Sequence, residues 1–208
     1  MIRNRAAFAF GLAALACALT SSVRAQENDH SLLHQVAAEA NPDALRAIIG
    51  KLVSFGTRHS LSGNGSRIRG IGAAQSWIKD SFAQLSSACG GCLVIDTPAE
   101  NFSGSRVPVS TSFMDVLAIQ RGTTDPDRVI IIAAHLDSRN TDPMDAVHDA
   151  PGADDDGSGV AAVMEAARIL SKRKFPATLV YAVLTGEEQG LYGGTVLAHY
   201  ARDHHWNV

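Results

Sequence analysis

Two near-continuous apolar runs, Val129–Ala134 and Thr178–Leu184, set the tightest limit on what this chain can fold into. A strand with no polar alternation is one covered on both faces. Between the runs lie a polar stretch, 138–154, and a segment of helical periodicity that Asp156 or Ser158 can start and that reaches about Lys172. Strand, long loop, helix and strand form a crossover unit, and such crossovers are nearly always right-handed. The two runs are therefore expected as parallel neighbours, followed by a last helix from about Leu191 to Arg202.

Upstream, Asn41 can cap a helix whose first turn takes Pro42, with Leu45, Ile48, Ile49 and Leu52 at helical spacing. A second helix is expected from about Ser66 to Leu85, with Ile71, Ala74, Trp77, Ile78, Phe82 and Leu85 on one face. Leu93–Thr97 reads as a short strand. Pro98, Gly104 and Pro108 mark residues 98–112 as a loop, and Phe113–Gln120 alternates like a strand. The turn at Thr123–Asp127 predicts that this strand pairs with Val129–Ala134 as a hairpin. The expected fold is α/β: a three-layer αβα sandwich with a mixed, mostly parallel sheet, formed by residues 41–208.

The first residues differ from the rest. Arg3 and Arg5 precede an apolar run from Ala6 to Leu19, broken only by Gly11, and Ser21–Ala25 ends in Val-x-Ala. This is the layout of a secretory signal peptide, residues 1–25, cleaved after Ala25. The run is shorter than the roughly 20 residues of a membrane-spanning helix. Residues 26–40 read as a loose mature N-terminus, and the expected location is secreted or periplasmic. Cleavage removes three arginines and no acid, taking the formal charge from −3 to −6. An acidic balance argues against a nucleic-acid partner, and beyond the leader no membrane partner is expected. Cys89 and Cys92 remain, separated by two glycines. In an oxidising compartment a local disulfide is the favoured reading. A zinc site would need two more ligands nearby, and a redox motif usually opens a helix rather than following one.

Three polar clusters fall beyond strand ends or at a helix start, where open α/β sheets place their sites. The first is His135-Leu-Asp137-Ser138. Imidazole is a good zinc ligand, and a carboxylate two residues on lies on the same side of extended chain. Alone, the pair equally suits a polar strand end. The second is Gly152-Ala-Asp154-Asp155-Asp156-Gly-Ser-Gly159. An acidic helix cap needs one carboxylate, and three adjacent ones repel unless a cation or helix terminus offsets them. The third is Gly186-Glu187-Glu188-Gln-Gly190, a solvated acidic turn or a metal ligand beside a proton acceptor.

In this order and placement the clusters closely resemble the bacterial leucyl aminopeptidase-like family of two-zinc exopeptidases, with glutamate carboxypeptidases and glutaminyl cyclases as more distant relatives. The resemblance is clearest from about Asp115 to Ala201, and Leu52-Val-Ser-Phe-Gly-Thr-Arg-His59 looks like the lead-in of such enzymes. It implies His135 as ligand of one zinc, Asp155 as the bridging carboxylate, Glu188 as ligand of the other zinc, Glu187 as general base toward water, and Asp137 as the partner of His135. It implies an exported aminopeptidase acting on peptides with a free N-terminus. Two further ligands, an Asp and a His, normally follow the helix after Glu-Glu. His199, Asp203, His204 and His205 read as solvated, so residues 41–208 are expected to be the N-terminal part of a catalytic domain, incomplete at its C-terminus. The alternatives are an inactive truncated chain and an acyltransferase of the glutaminyl cyclase kind.

Overall fold

An asparagine side chain starts the main body of the protein. Asn41 Oδ1 accepts from the main-chain N–H of Asp43 (2.9 Å) and Ala44 (3.3 Å), and Pro42 opens helix α2, Pro42–Val53. The computed structural model describes residues 30–208, so the expected leader lies outside the described residues. A first helix, α1, covers residues 30–38, within the stretch that sequence alone reads as loose. Asn41–Val208 form a compact unit, separate from the described residues that precede it. Among the described residues no helix is long and apolar enough to cross a membrane.

Helix α3, Ile71–Ala88, buries Ile71, Ala74, Ile78 and Phe82 on the expected face. It begins later than Ser66 because Gly70 has φ +88°, a left-handed conformation open to glycine. Ser66 is used instead in the preceding turn, where its hydroxyl accepts from Ile68 and Arg69. At the far end Cys89 and Cys92 are bonded to each other.

Strand β1 is Val94–Asp96. The region expected as a loop, 98–112, is mostly a two-stranded antiparallel ribbon of β2, Ala99–Gly104, and β3, Val107–Met114. Pro108 is tolerated because a ribbon edge asks for no N–H there. Its anchors are apolar: Val107 and Phe113 are fully buried, and Phe113 and Phe102 pack on Tyr192. The alternation from Phe113 to Gln120 thus spans two strands, and β4, Val116–Gln120, begins only after Asp115.

Strand β5 is Asp125–His135, α4 is Gly157–Leu170, β6 is Ala177–Leu184, α5 is the single turn Glu187–Gly190, and α6 is Tyr192–Asp203. The main sheet has the order β1-β4-β6-β5. The parallel pairing of β5 and β6 matches the crossover reading, from Val129 opposite Thr178 to His135 opposite Leu184. The expected hairpin between β4 and β5 does not form: β4 lies antiparallel between β1 and β6. The sheet is mixed, but only one of its three pairings is parallel. Burial explains the order. Val116, Leu117 and Ala118 are fully buried, so both faces of β4 need cover, whereas Ile130 of β5 is 45% exposed. On the outer side of β5, Val129 N donates to Asn207 O (2.8 Å) and Asn207 N to Asp127 O (3.0 Å).

Two cores sandwich the sheet. One joins α2, α3 and α4 through Leu52, Ile78, Phe82, Val160 and Val163 to Ala118, Tyr181 and Val183. The other packs Leu197 of α6 on Leu117, Val180 and Ala182. The architecture is the expected three layers, with the carboxyl ends of β5 and β6 side by side.

Candidate active site

β5 ends in His135 and β6 runs into Thr185-Gly186-Glu187-Glu188, so the pairing of His135 with Leu184 brings two polar clusters together. His135 Nε2 stands 3.1 Å from Asp155 Oδ1 and 4.0 Å from Glu187 Oε2. Its Nδ1 lies 3.1 Å from the main-chain oxygen of Asp137 and 3.7 Å from Asp137 Oδ1. In the neutral ring, donation of Nδ1–H to that oxygen would leave the Nε2 lone pair facing Asp155, the form a metal takes. Burial pushes the imidazole down, but the neighbouring Asp137, Asp156 and Glu187 outweigh it and hold it up at about 9.

Asp137 does more than face His135. Fully buried, its Oδ1 accepts from Gly186 N (2.8 Å) and Glu187 N (3.2 Å), and its Oδ2 from Glu188 N (3.1 Å). One carboxylate therefore holds the turn that presents both glutamates. Gly186 lets that turn form. Its φ is +87°, and a side chain there would run into the Phe113 ring.

The acidic run is divided in its tasks. Asp156 caps α4, accepting from Gly159 N (2.9 Å), and also accepts from His135 N (3.2 Å). Asp155, joined to it through a cis peptide bond, is free to project at His135, its side chain 77% exposed. Asp154 contributes its main-chain oxygen to Ser158 Oγ.

Glu188 is engaged by two arginines. Its Oε2 accepts from Arg139 Nε at 2.6 Å, and Arg106 Nη1 donates to its main-chain oxygen. Among the described residues no three His, Cys, Asp or Glu side chains are grouped as a closed metal site. The donors present at His135, one imidazole nitrogen with carboxylate oxygens of Asp155 and Glu187, are nonetheless of the kinds zinc takes. At the chain's other polar cluster, His199 binds Glu100 and His204 stacks on Tyr200, away from these donors.

Three supports escaped the sequence reading as site residues. Asp115 is fully buried, its Oδ1 accepting from Thr185 N (2.9 Å) and its Oδ2 without a partner. Burial raises its carboxyl to about 8, with the nearby Asp137 adding to the rise. A lone acid inside the apolar alternation 113–120 was the available signal. Arg139 left no such mark. Arg58, in the lead-in motif, is fully buried beneath the site; burial lowers its guanidinium to about 10, so it stays charged at neutral pH.

Residues 115–208 match the family model described as Peptidase family M28. A relative from Pyricularia oryzae described as a "Probable zinc metalloprotease" is 43% identical over 177 residues, covering 85% of this chain and 35% of its own length. One of the same description from Pyrenophora teres f. teres is 41% identical, with 85% and 37% covered. The chain thus spans little more than a third of the length of the curated relatives it matches. Among solved structures, LapB from Legionella pneumophila superposes with a TM-score of 0.63 at 21% identity, covering 83% of this chain and 42% of that one. A glutaminyl cyclase from Fimbriiglobus ruber gives 0.53 at 15% identity, with 70% and 44% covered. At these identities the two show a shared fold.

Proposed function

From a chain whose residues 115–208 match the model of peptidase family M28, we propose a zinc-dependent peptidase that removes N-terminal residues from peptides outside the cytoplasm. The observation that carries the reading is His135 Nε2, 3.1 Å from Asp155 and 4.0 Å from Glu187 at the carboxyl edge of parallel strands. His135 and Asp155 would hold a zinc ion, and Glu188 would hold a second if its carboxylate kept one oxygen free of Arg139. Zinc supplies Lewis-acid polarisation of the scissile carbonyl.

The chain's own residues do the rest. Glu187, 42% exposed on a turn fixed by Asp137, can accept a proton from water and return it to the leaving amine. Asp137 keeps His135 and Glu187 in register, the first through its main-chain oxygen and the second through its side chain.

The test offers an unblocked peptide, its N-acetylated form and an N-terminal Gln peptide, each with zinc. Release of the first residue from the unblocked peptide alone is expected. Glu187→Gln should keep its zinc and lower turnover by about 10² or more. Cleavage of the acetylated peptide, or cyclisation of the Gln peptide, would replace the aminopeptidase reading.

A further inference from the structure

Arg58 is an unusual buried arginine, because its guanidinium binds only main-chain carbonyls. Nε donates to Leu136 O (2.7 Å), Nη1 to Leu52 O (3.2 Å) and Pro151 O (2.7 Å), and Nη2 to Gly152 O (2.9 Å). Buried arginines are normally held by carboxylates, since an unpaired buried charge is costly. Here four carbonyl dipoles make the direct contacts, and the charges of Asp137 and Asp156 act from nearby. They come from three places in the chain: the end of α2, the residue after His135, and the segment that leads to Asp154-Asp155-Asp156.

The neighbours of Arg58 reinforce the same join. Arg58 N donates to Ser138 Oγ (3.2 Å), Ser138 N to Arg58 O (3.3 Å), and Ser138 Oγ to Ala150 O (2.7 Å). Ala150 N donates to Gly56 O (2.9 Å). His59, also fully buried, accepts from Leu61 N at Nδ1, which leaves Nε2–H to donate to Pro143 O (3.0 Å). Residues 56–59 therefore hold both limbs of the loop that separates His135 from Asp155.

We propose that Arg58 is a positioning residue: its carbonyl-bound guanidinium fixes the distance between His135 and the Asp155 arm. No helix or strand spans residues 136–156; apart from Asp156, which accepts from His135 N and Gly159 N, the arm is held at its root by these carbonyl contacts. The planar fork reaches carbonyls in three directions at once, which a lysine ammonium on its flexible stem cannot match. The inference rests on the metal reading above for one of its two readouts and is independent of it for the other.

The experiment compares the full chain with Arg58→Lys, Gly152→Ala and Ile78→Val. Gly152→Ala keeps the guanidinium but, at a φ of +45°, sets a methyl 2.5 Å from Ser138 Cβ, 2.6 Å from Asp155 O and 3.0 Å from Arg58 Nη2, so it disturbs the arm directly as well as the guanidinium contact. Ile78→Val trims the fully buried core beneath α3, away from the site. Amide hydrogen exchange is followed at Ser138, Ala150 and Gly157, with Val180 and Ala182 of β6 as references. Co²⁺ binding is followed by its visible absorption. Arg58→Lys and Gly152→Ala should speed exchange at the three loop amides by about tenfold or more relative to β6. They should also weaken Co²⁺ binding about 10- to 100-fold, while Ile78→Val changes neither ratio. Loop exchange in both variants as slow as in Ile78→Val overturns the proposal. So does faster exchange with an unchanged Co²⁺ affinity and spectrum, which would make the loop anchor a matter of stability alone. If Arg58→Lys does not fold, Gly152→Ala decides by the same criteria. If the unaltered chain takes up no Co²⁺, the metal reading fails, and loop exchange still judges whether Arg58 holds the arm.

Discussion

The two limbs of the site are held by opposite means. The glutamate turn, 186–188, hangs from one buried carboxylate that collects three main-chain N–H groups. The Asp155 arm hangs from one buried guanidinium that supplies N–H groups to main-chain oxygens on both sides of the loop. The turn is short and its anchor touches each residue. The arm is long, its anchor grips the root, Asp156 meets α4 at the far end, and Asp155 just before it stays largely exposed. A turn gripped along its length should respond to loss of its anchor as a unit, while an arm gripped at the root should loosen first at Asp155.

Asp137→Ala is the largest break on the turn side. It strands three buried or half-buried donors and should destabilise the protein by about 3–5 kcal/mol, the usual cost of removing one partner of a buried charged network. Asp137→Asn keeps one acceptor oxygen and should cost less than half as much. Urea unfolding of both variants measures the difference, and equal losses would show that the turn does not hang from this carboxylate.

Asp115 gives the same turn a pH dependence of its own. Its carboxyl titrates at about 8 when folded, because of burial first and Asp137 second, against an ordinary value of 3.8. The folded state therefore binds the extra proton, and its contribution is complete below about pH 4 and is lost as pH rises through about 8. Asp115→Asn keeps an acceptor for Thr185 N and carries no proton to lose. Between pH 5 and 8 the unaltered chain should lose stability relative to this variant by on the order of 1.4 kcal/mol per pH unit at the steepest. Parallel pH profiles for the two chains would remove Asp115 from the account.

The smallest expected effect is on the outer loop of the arm. Arg69 pairs with Asp149 at 2.8 Å, but the side chains are 45% and 75% exposed. Arg69→Ala should change unfolding by less than about 1 kcal/mol. A larger loss would mean that the arm is gripped along its length after all, and the contrast with the turn would weaken.

The sequence made the crossover legible because its signals are local and redundant: two apolar strands, one helical period, and a cap at Asp156. The same locality misled at β4. Phe113–Gln120 and Val129–Ala134 are neighbours in sequence, yet full burial of Val116, Leu117 and Ala118 gives β4 a central place beside β6. The β2–β3 ribbon was hidden by its prolines and serines, since its anchors, Val107 and Phe113, make sense only once Tyr192 is placed. In the site, His135, Asp137, Asp155, Glu187 and Glu188 announce themselves as clustered polar residues at strand ends. Arg58 does not, because its partners are carbonyls, which every residue carries and no sequence displays. Arg139 is equally silent, being one more surface arginine until its contact with Glu188 is seen.

Phe113 fills the space that Gly186 leaves empty, and this ties two distant positions into a single allowed combination. Alanine at 186 would have to displace the ring, and the ring in turn leans on Tyr192 and Phe102. In a library randomised at both positions, survivors without glycine at 186 should carry a smaller residue at 113 and one at 186 that tolerates the left-handed φ of +87°, asparagine foremost. Those pairs would form a second island of viable sequences, separated from the present one because either single step alone is a clash or a hole.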